Sequence, residues 1–505
     1  MKPSRLSLAL VGLILLACSW GIVRERLHTY WEAQQPEITT FALIGHGLLK
    51  GRALYSDLWD HHPPAIYFSY ALSEALGGHG PYSIFLLSLL AAFAVLGAVF
   101  MAGFLYRDAA TGLWAAAFWA VLSGDLSLWA NQPYPEAFVN LFAGWAMVFL
   151  LMKKSKSSRA LLWGGAGLFL FVGSLYVFPV FWLAGLWASI GGWRIKNAKA
   201  KAAGLSEALY LAGIPLAGWA LLFFYFLVQG RGLDFWGAVF TYHSYIVGQG
   251  LAGWNLFKIW PDFMAFGTPF LLMALLGAFR AAASHPRPWV LLAAYGTWVF
   301  FEVNFASEDN PVAYQVWLVP LVVGGAWGLC ELAQWAKPWA GRWAWTPALL
   351  LLLSCVAHEL PFYQKWAVDW ARAKSGDGVV GAYDFARNLD GFLRKDENFY
   401  EWGDETQLYY TTRRDPPAGV FTSDPLSQGP LAGSLSLRVV RDLEISKPEL
   451  FIFNRNEAEG NWDRNPVLIY VETHYSPVRK IPPQGSLVFF ARKGGNLEAR
   501  LARLK

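Results

Sequence analysis

Hydrophobic and polar positions alternate along this chain on the scale of whole membrane spans. After Lys2 and Arg5, Leu6 to Val23 is apolar and carries no charge, close to the roughly 20 residues that cross a bilayer as a helix. Further apolar runs lie at 81–105, 109–129, 134–152, 160–174, 176–193, 207–228, 263–283, 288–305, 311–333 and 343–357. Together they predict about eleven spanning helices. The pair between Ala160 and Trp193 also fits one tilted helix with a re-entrant piece. From His358 the pattern changes, with frequent charges and short apolar runs. There 379–394 has helical spacing (Val380, Tyr383, Leu389, Phe392, Leu393), and Phe399–Trp402, Leu450–Asn454, Val467–Glu472 and Ser486–Arg492 read as strands. The expected fold class is a mainly α polytopic membrane protein over residues 1–357. A soluble α/β domain over 358–505 follows, large enough to bury its own core.

Composition supports the spans. Of 505 residues, 55% are hydrophobic and 15% charged, against about 25% charged in soluble proteins. The mean hydropathy is +0.32. A net charge of +5 is small for this length and excludes a nucleic-acid partner as the reading of charge. What matters is where the cations lie. Counting from a cytoplasmic N-terminus, Arg107, Lys153-Lys154-Lys156-Arg159, Arg194-Lys196-Lys199-Lys201, Arg280/Arg287 and Lys337/Arg342 fall on the cytoplasmic side. The opposite loops hold Glu37, Asp57, Asp60, Asp125, Glu136, Asp234, Asp262, Glu308 and Asp309. An odd number of spans places residues 358–505 outside. Cys18, Cys330 and Cys355 all sit in apolar spans, so no disulfide framework is implied. Leu15-Leu16-Ala17-Cys18 nearly matches a lipoprotein cleavage box, but a cysteine within the first span is the reading that suits the many spans beyond it.

Two external segments are too long for turns, 24–80 and 229–262. The second is rich in Trp236, Tyr242, Tyr245, Trp254 and Trp260, which suits an interfacial aromatic belt or, alternatively, sugar stacking. In the first, Pro36-Glu37 followed by Phe41, Ile44 and Leu48 predicts a short helix lying on the membrane. Glu37 there either complements the helix dipole or serves as a general base toward an attacking hydroxyl. Asp57, Asp60, His61 and His62 then gather before Pro63-Pro64. Two imidazoles beside two carboxylates suit a metal or a phosphate, and polar interfacial side chains are the plain alternative. Glu136, after Pro133-Tyr134-Pro135, opens the fourth span from the same side, as a helix start or as a second carboxylate of the pocket. His243 is a weaker candidate of the same kind. A membrane location suits a polyprenyl-phosphate sugar, whose departing phosphate calls for charge neutralisation more than for a general acid.

These residues resemble a known family. Glu37, Phe41-Ala42-Leu43-Ile44-Gly45, Gly51, Tyr55-Ser56-Asp57 and Asp60-His61-His62-Pro63-Pro64 are similar to the first external loop of bacterial GT-C glycosyltransferases. That group includes protein O-mannosyltransferases and the lipid A aminoarabinose transferase. The likeness continues at Pro135-Glu136 and at Tyr314 to Pro320. In the tail it covers Phe399-Tyr400-Glu401-Trp402-Gly403, Gln407-Leu408-Tyr409-Tyr410 and Arg413-Arg414-Asp415-Pro416-Pro417. The family's first acid is usually Asp, where this chain has Glu37 followed by Ile38. Its lysine before the prolines is here His62.

The resemblance implies a GT-C architecture and an inverting transfer of sugar from a polyprenyl-phosphate donor to an external hydroxyl on a protein, lipid or glycan. It puts the catalytic carboxylate at Glu37 with Glu136 in support, and substrate contacts at Tyr55, Asp57, Asp60, His61, His62 and Tyr314. Of these His62 would meet the phosphate. A divalent metal, where a relative holds one, would involve His61. The implied setting is a cell inner membrane with the C-terminal domain extracytoplasmic and membrane lipid as surroundings. Two other classes stay open, a lipid-linked sugar transporter or flippase and a non-catalytic scaffold. A transporter calls for charges within the spans, and Glu302 is the main one.

Overall fold

The computed structural model describes residues 5–152, 155, 158–192, 198–252, 260–281, 286–305, 311–389, 391–455, 464–478 and 486–503. Each expected apolar span is met by a helix. The first is α1 (Arg5–Trp31). Before the second come two helices of the 24–80 segment, α2 (Pro36–Leu49) and α3 (Ala65–Gly77). Then follow α4 (Pro81–Tyr106), α5 (Ala109–Leu122), α6 (Pro135–Leu151), α7 (Arg159–Ser174), α8 (Val180–Gly192) and α9 (Ala198–Val228). The 229–262 segment carries α10 (Gly232–Trp236) and α11 (His243–Ala252). The remaining spans are α12 (Trp260–Ala281), α13 (Pro286–Phe305), α14 (Leu318–Ala340) and α15 (Thr346–Tyr363). Thus α7 and α8 are separate helices, where one tilted helix was an alternative.

Among the described residues, Leu8–Trp31, Pro81–Tyr106, Leu205–Val228 and the run Pro311–Tyr363 are long and apolar enough to cross a membrane. Shorter apolar helices accompany them at Ala109–Leu122, Pro135–Leu151, Arg159–Ser174, Val180–Ile190 and Gly267–Arg280. Leu13, Leu16 and Trp20 on α1 and Leu216, Leu221 and Phe224 on α9 are exposed, as lipid-facing side chains are. Of the expected loop charges, Lys153, Lys154, Lys156, Arg194, Lys196, Glu308 and Asp309 lie outside the described residues, as does Trp254. For Lys199, Lys201, Trp260, Asp262 and Arg287 only the backbone is described.

The chain divides into two compact units, each drawn from three stretches of sequence. The first holds 1–30, 85–224 and 246–365, and its core is built from helix-on-helix packing of small residues. At Gly328 of α14 an added Cβ would lie 1.6 Å from Met273 O of α12, so only glycine lets these backbones touch. Cys18 is buried within α1. The 3-10 segment Pro311–Trp317 is tied to its neighbours by Asn140 Nδ2 donating to Gln315 O (2.8 Å) and Gln315 Nε2 donating to Leu128 O (2.9 Å).

The second unit holds 31–84, 225–245 and 366–505. Its C-terminal part contains α16 (Ala367–Leu389), β1 (Phe399–Trp402), α17 (Gln407–Thr412), α18 (Asp424–Ser427) and α19 (Ala432–Ser446). Next come β2 (Leu450–Asn454), α20 (Pro466–His474), β3 (Tyr475–Pro477), β4 (Leu487–Arg492) and α21 (Asn496–Arg503). The sheet order is β1-β2-β4-β3, with β1 parallel to β2 and the other pairs antiparallel. Two expectations need correction. The run Val467–Glu472 is helix, because Asn465 accepts from Val467 N and Pro466 takes the first helical position, and this start outweighs strand propensity. The helix expected at 379–394 ends earlier, at Leu389, and is preceded by a separate helix from Ala367, the two meeting at Gly376, whose φ of 78 is not helical.

Candidate active site

Residues 36–77 fold as two helices lying side by side and pointing the same way. Glu37 at the start of α2 faces His62 just before α3. Phe41 meets Tyr67 and Tyr70 of α3 at ring separations of 6.0 and 5.8 Å, and His46 meets Glu74 near the far ends. Gly45 permits this pairing, since a Cβ there would stand 2.8 Å from Ala71 N and 3.1 Å from Tyr70 C. The loop of residues 50–64 carries the chain back, and every site residue of the segment except Glu37 sits on it.

Several bonds hold the two starting points. Pro36 occupies the first helical position after the extended Gln35. Its carbonyl accepts from the hydroxyls of Thr39 (2.9 Å), Thr40 (2.9 Å) and Thr406 (2.6 Å). In the return loop Tyr55 is fully buried at φ 68, a costly conformation for a bulky residue. Its N–H bonds Leu58 O (2.7 Å), its carbonyl accepts from Arg438 Nη1 (3.1 Å), and its ring packs on Phe226 and Phe235. The Tyr55 hydroxyl donates to His62 O at 2.9 Å, with the Tyr67 hydroxyl at 3.4 Å from the same carbonyl. Two phenols therefore fix the backbone of His62.

Carboxylates and imidazoles then form a continuous chain. Glu37 Oε1 lies 3.5 Å from His62 Nε2, and His62 Nδ1 lies 3.4 Å from Asp60 Oδ2. Asp60 Oδ1 accepts from His61 N (2.7 Å) and lies 3.1 Å from His61 Nδ1. The two imidazole centroids are 4.2 Å apart, and Phe41 meets His62 edge-on at 5.0 Å. Tyr242 reaches both His61 (5.5 Å) and Trp59 (5.3 Å). Burial works to raise the Asp60 carboxyl, but His62 and His61 outweigh it and hold it well below the usual range. His243 is pushed down to about 4 by burial and by the charges of His61 and His62. Burial raises the phenols of Tyr55, Tyr67, Tyr70 and Tyr242, so they remain donors at neutral pH.

Side-chain exposure rises from Asp60 (13%) through His62 (21%) to Glu37 (34%). Glu37 is thus the end of the chain that a substrate can reach, and Asp60 is the anchor behind it. Asp60, His61 and His62 place their ligand atoms within 4.8 Å of one another, so this trio suits a divalent ion. The Asp57 carboxylate is exposed and accepts from Ala53 N at 2.8 Å, which closes the turn of its own loop. Glu136, in the first turn of α6, and the buried Tyr314 belong to the first unit. Tyr67 and Phe41 were not expected at the site; their only signal is apolar spacing, which reads as core.

Solved structures share this architecture. The chain matches ArnT from Cupriavidus metallidurans bound to undecaprenyl phosphate with a TM-score of 0.63 and 14% identity, covering 97% of this chain and 98% of that one. The fold is that of ArnT. The archaeal oligosaccharyltransferase AglB from Archaeoglobus fulgidus, in complex with an inhibitory peptide and a dolichol-phosphate, matches with a TM-score of 0.55 and 12% identity. That match covers 98% of this chain and 77% of AglB. An Archaeoglobus fulgidus oligosaccharyltransferase tethered to an acceptor peptide matches at a TM-score of 0.53. All are GT-C membrane glycosyltransferases, the architecture that the sequence motifs resemble. No protein-family model and no curated protein matches the chain.

Proposed function

We propose that this protein is an inverting membrane glycosyltransferase that moves a sugar from a polyprenyl-phosphate donor to an extracytoplasmic hydroxyl. The observation that carries this reading is the Glu37–His62–Asp60 chain, whose exposed end is a carboxylate, within a fold shared with proteins bound to undecaprenyl phosphate and dolichol-phosphate. Glu37 takes the proton of the acceptor hydroxyl as its oxygen attacks the anomeric carbon. The bond from that carbon to the phosphate oxygen breaks, and the polyprenyl phosphate leaves with the electron pair. His62, held between Glu37 and Asp60, adds to the neutralisation of the departing phosphate when protonated, and Asp60 orients its ring. A divalent ion held by Asp60, His61 and His62 would supply further neutralisation of the phosphate. In this reading residues 358–505 form the extracytoplasmic domain, and Tyr55 supports the site by fixing the backbone of His62.

The test is release of polyprenyl phosphate from a panel of labelled polyprenyl-phosphate sugars by the full chain in detergent, with membrane extract as acceptor. Release that depends on the acceptor supports transfer. Intact protein that binds a donor and never releases its lipid contradicts it.

A further inference from the structure

A second polar cluster lies in the same unit and takes no part in the proposed transfer. His46 occupies the last turn of α2, Glu74 the last turn of α3, and His79 the turn just beyond. Because α2 and α3 point the same way, their ends meet. The chain then folds back at Gly78 (φ 79) and Gly80 (φ 151), which brings His79 onto Glu74. His46 Nδ1 contacts Glu74 Oε1, and His79 Nδ1 lies 3.1 Å from Glu74 Oε2. The imidazole centroids are 4.6 Å apart, and one ligand atom from each of the three residues lies within 4.8 Å of the others.

Two further observations point to a ligand. The other ring nitrogen of His46, Nε2, faces Asp415 Oδ1 at 3.7 Å, and Asp415 is itself held by Lys50 at 2.6 Å. A carboxylate behind an imidazole is the arrangement that fixes the tautomer of a metal-ligating histidine. The Tyr410 ring lies 4.9 Å from that of His79, tilted against it, Tyr410 is 6% exposed, and its hydroxyl has no hydrogen-bond partner among the described residues, while Glu74 acts on it electrostatically. A buried hydroxyl left so beside the cluster calls for a partner from outside the protein.

We propose that His46, Glu74 and His79 bind one zinc ion, which staples the far ends of α2 and α3. Two imidazoles and one carboxylate are a zinc donor set, and three protein ligands leave the fourth tetrahedral position to water. Calcium and magnesium would require more oxygen donors. The staple holds the register of the helix pair whose opposite end brings Glu37 to His62. Zinc binding itself stands apart from the transferase reading, and it is tested without any donor sugar.

The full chain, purified in detergent and stripped with a chelator, is titrated with zinc alone. Bound metal is counted by mass spectrometry and the melting temperature is followed. The expected result is that His79→Asn and Glu74→Gln each lose one equivalent of zinc and the zinc-dependent rise in melting temperature, and that His79→Cys regains both. Asp415→Asn should weaken the affinity by about tenfold, as outer-shell partners do. His79 lies outside both helices, so its variants keep the fold. His61→Asn and Asp125→Asn, in two other clusters of ligand-type residues among the described residues, should leave the His79-dependent equivalent and its rise in melting temperature in place. Equal uptake by wild type and His79→Asn, no uptake by wild type, or loss that follows His61 or Asp125 instead would each overturn the proposal.

Discussion

The contact at Gly45 makes a prediction whose sign is set by two opposing magnitudes. Replacing Gly45 by Ala in the interior of α2 should stabilise the helix by about 0.8–1.0 kcal/mol from propensity alone. The added Cβ, however, would lie 2.8 Å from Ala71 N and 3.1 Å from both Tyr70 C and Tyr70 Cβ. Ordinary carbon contacts need about 3.5–4.0 Å, so α2 and α3 must part by roughly 0.7 Å. Two of the three atoms met are backbone, and no rotamer change relieves them. Overpacking of this kind costs about 1–3 kcal/mol, which outweighs the propensity gain and leaves a net loss of up to about 2 kcal/mol. Activity should fall further than stability, because Glu37 starts one of the helices being separated and His62 lies just before the other, and misplacement by about 1 Å can cost on the order of 100-fold. The assay is thermal melting beside polyprenyl-phosphate release, with Gly433→Ala in α19 as the control. A Cβ at Gly433 meets nothing within 4 Å, so that variant should gain stability. Gly45→Ala melting above wild type with full turnover would refute the reasoning.

Two further predictions rest on buried charge. Lys374 Nζ lies 3.4 Å from Glu32 Oε2, both side chains are fully buried, and burial pushes the amine down to about 8 although Glu32 opposes this. Lys374→Met should therefore destabilise the protein by about 3–5 kcal/mol by stranding Glu32, read as a loss in melting temperature that Glu32→Gln in the same chain partly restores. His243, at about 4 when folded, lies below its unfolded value of about 6.5. The unfolded chain thus binds more protons in that window, and stability falls as pH drops from 6.5 toward 4. The share of that loss between pH 7 and 5 is about 2 kcal/mol. His243→Gln should flatten the acid limb of the melting profile by that amount, and an unchanged limb would contradict the assignment.

The spans were readable because lipid imposes long apolar runs, and β1 and β2 lie on the short apolar, aromatic-rich runs that mark them. Val467–Glu472 misled because Val467, Ile469, Tyr470 and Val471 favour strands, whereas Asn465-Pro466 sets a helix start. The three-residue β3 ends in Pro477 and is too short to carry a period. Within the site, Asp60, His61 and His62 were legible as neighbours in sequence. Their link to Glu37 depends on the parallel run of α2 and α3, which the return loop imposes through the buried Tyr55. The cluster of His46, Glu74 and His79 follows from the same pairing, and no residue spacing announces it. Asp57 shows the converse case: it sits in the motif, yet its carboxylate closes a turn.

The central claim is that Glu37 is the base of a glycosyl transfer. Its most direct test is single-turnover release of polyprenyl phosphate from an active donor by wild type and by Glu37→Gln, with donor affinity measured in parallel. Loss of a positioned general base predicts a rate about 10²–10⁴-fold lower, with donor binding little changed because the amide keeps the shape of the carboxylate. Equal rates in the two proteins would contradict the account and move the base away from Glu37.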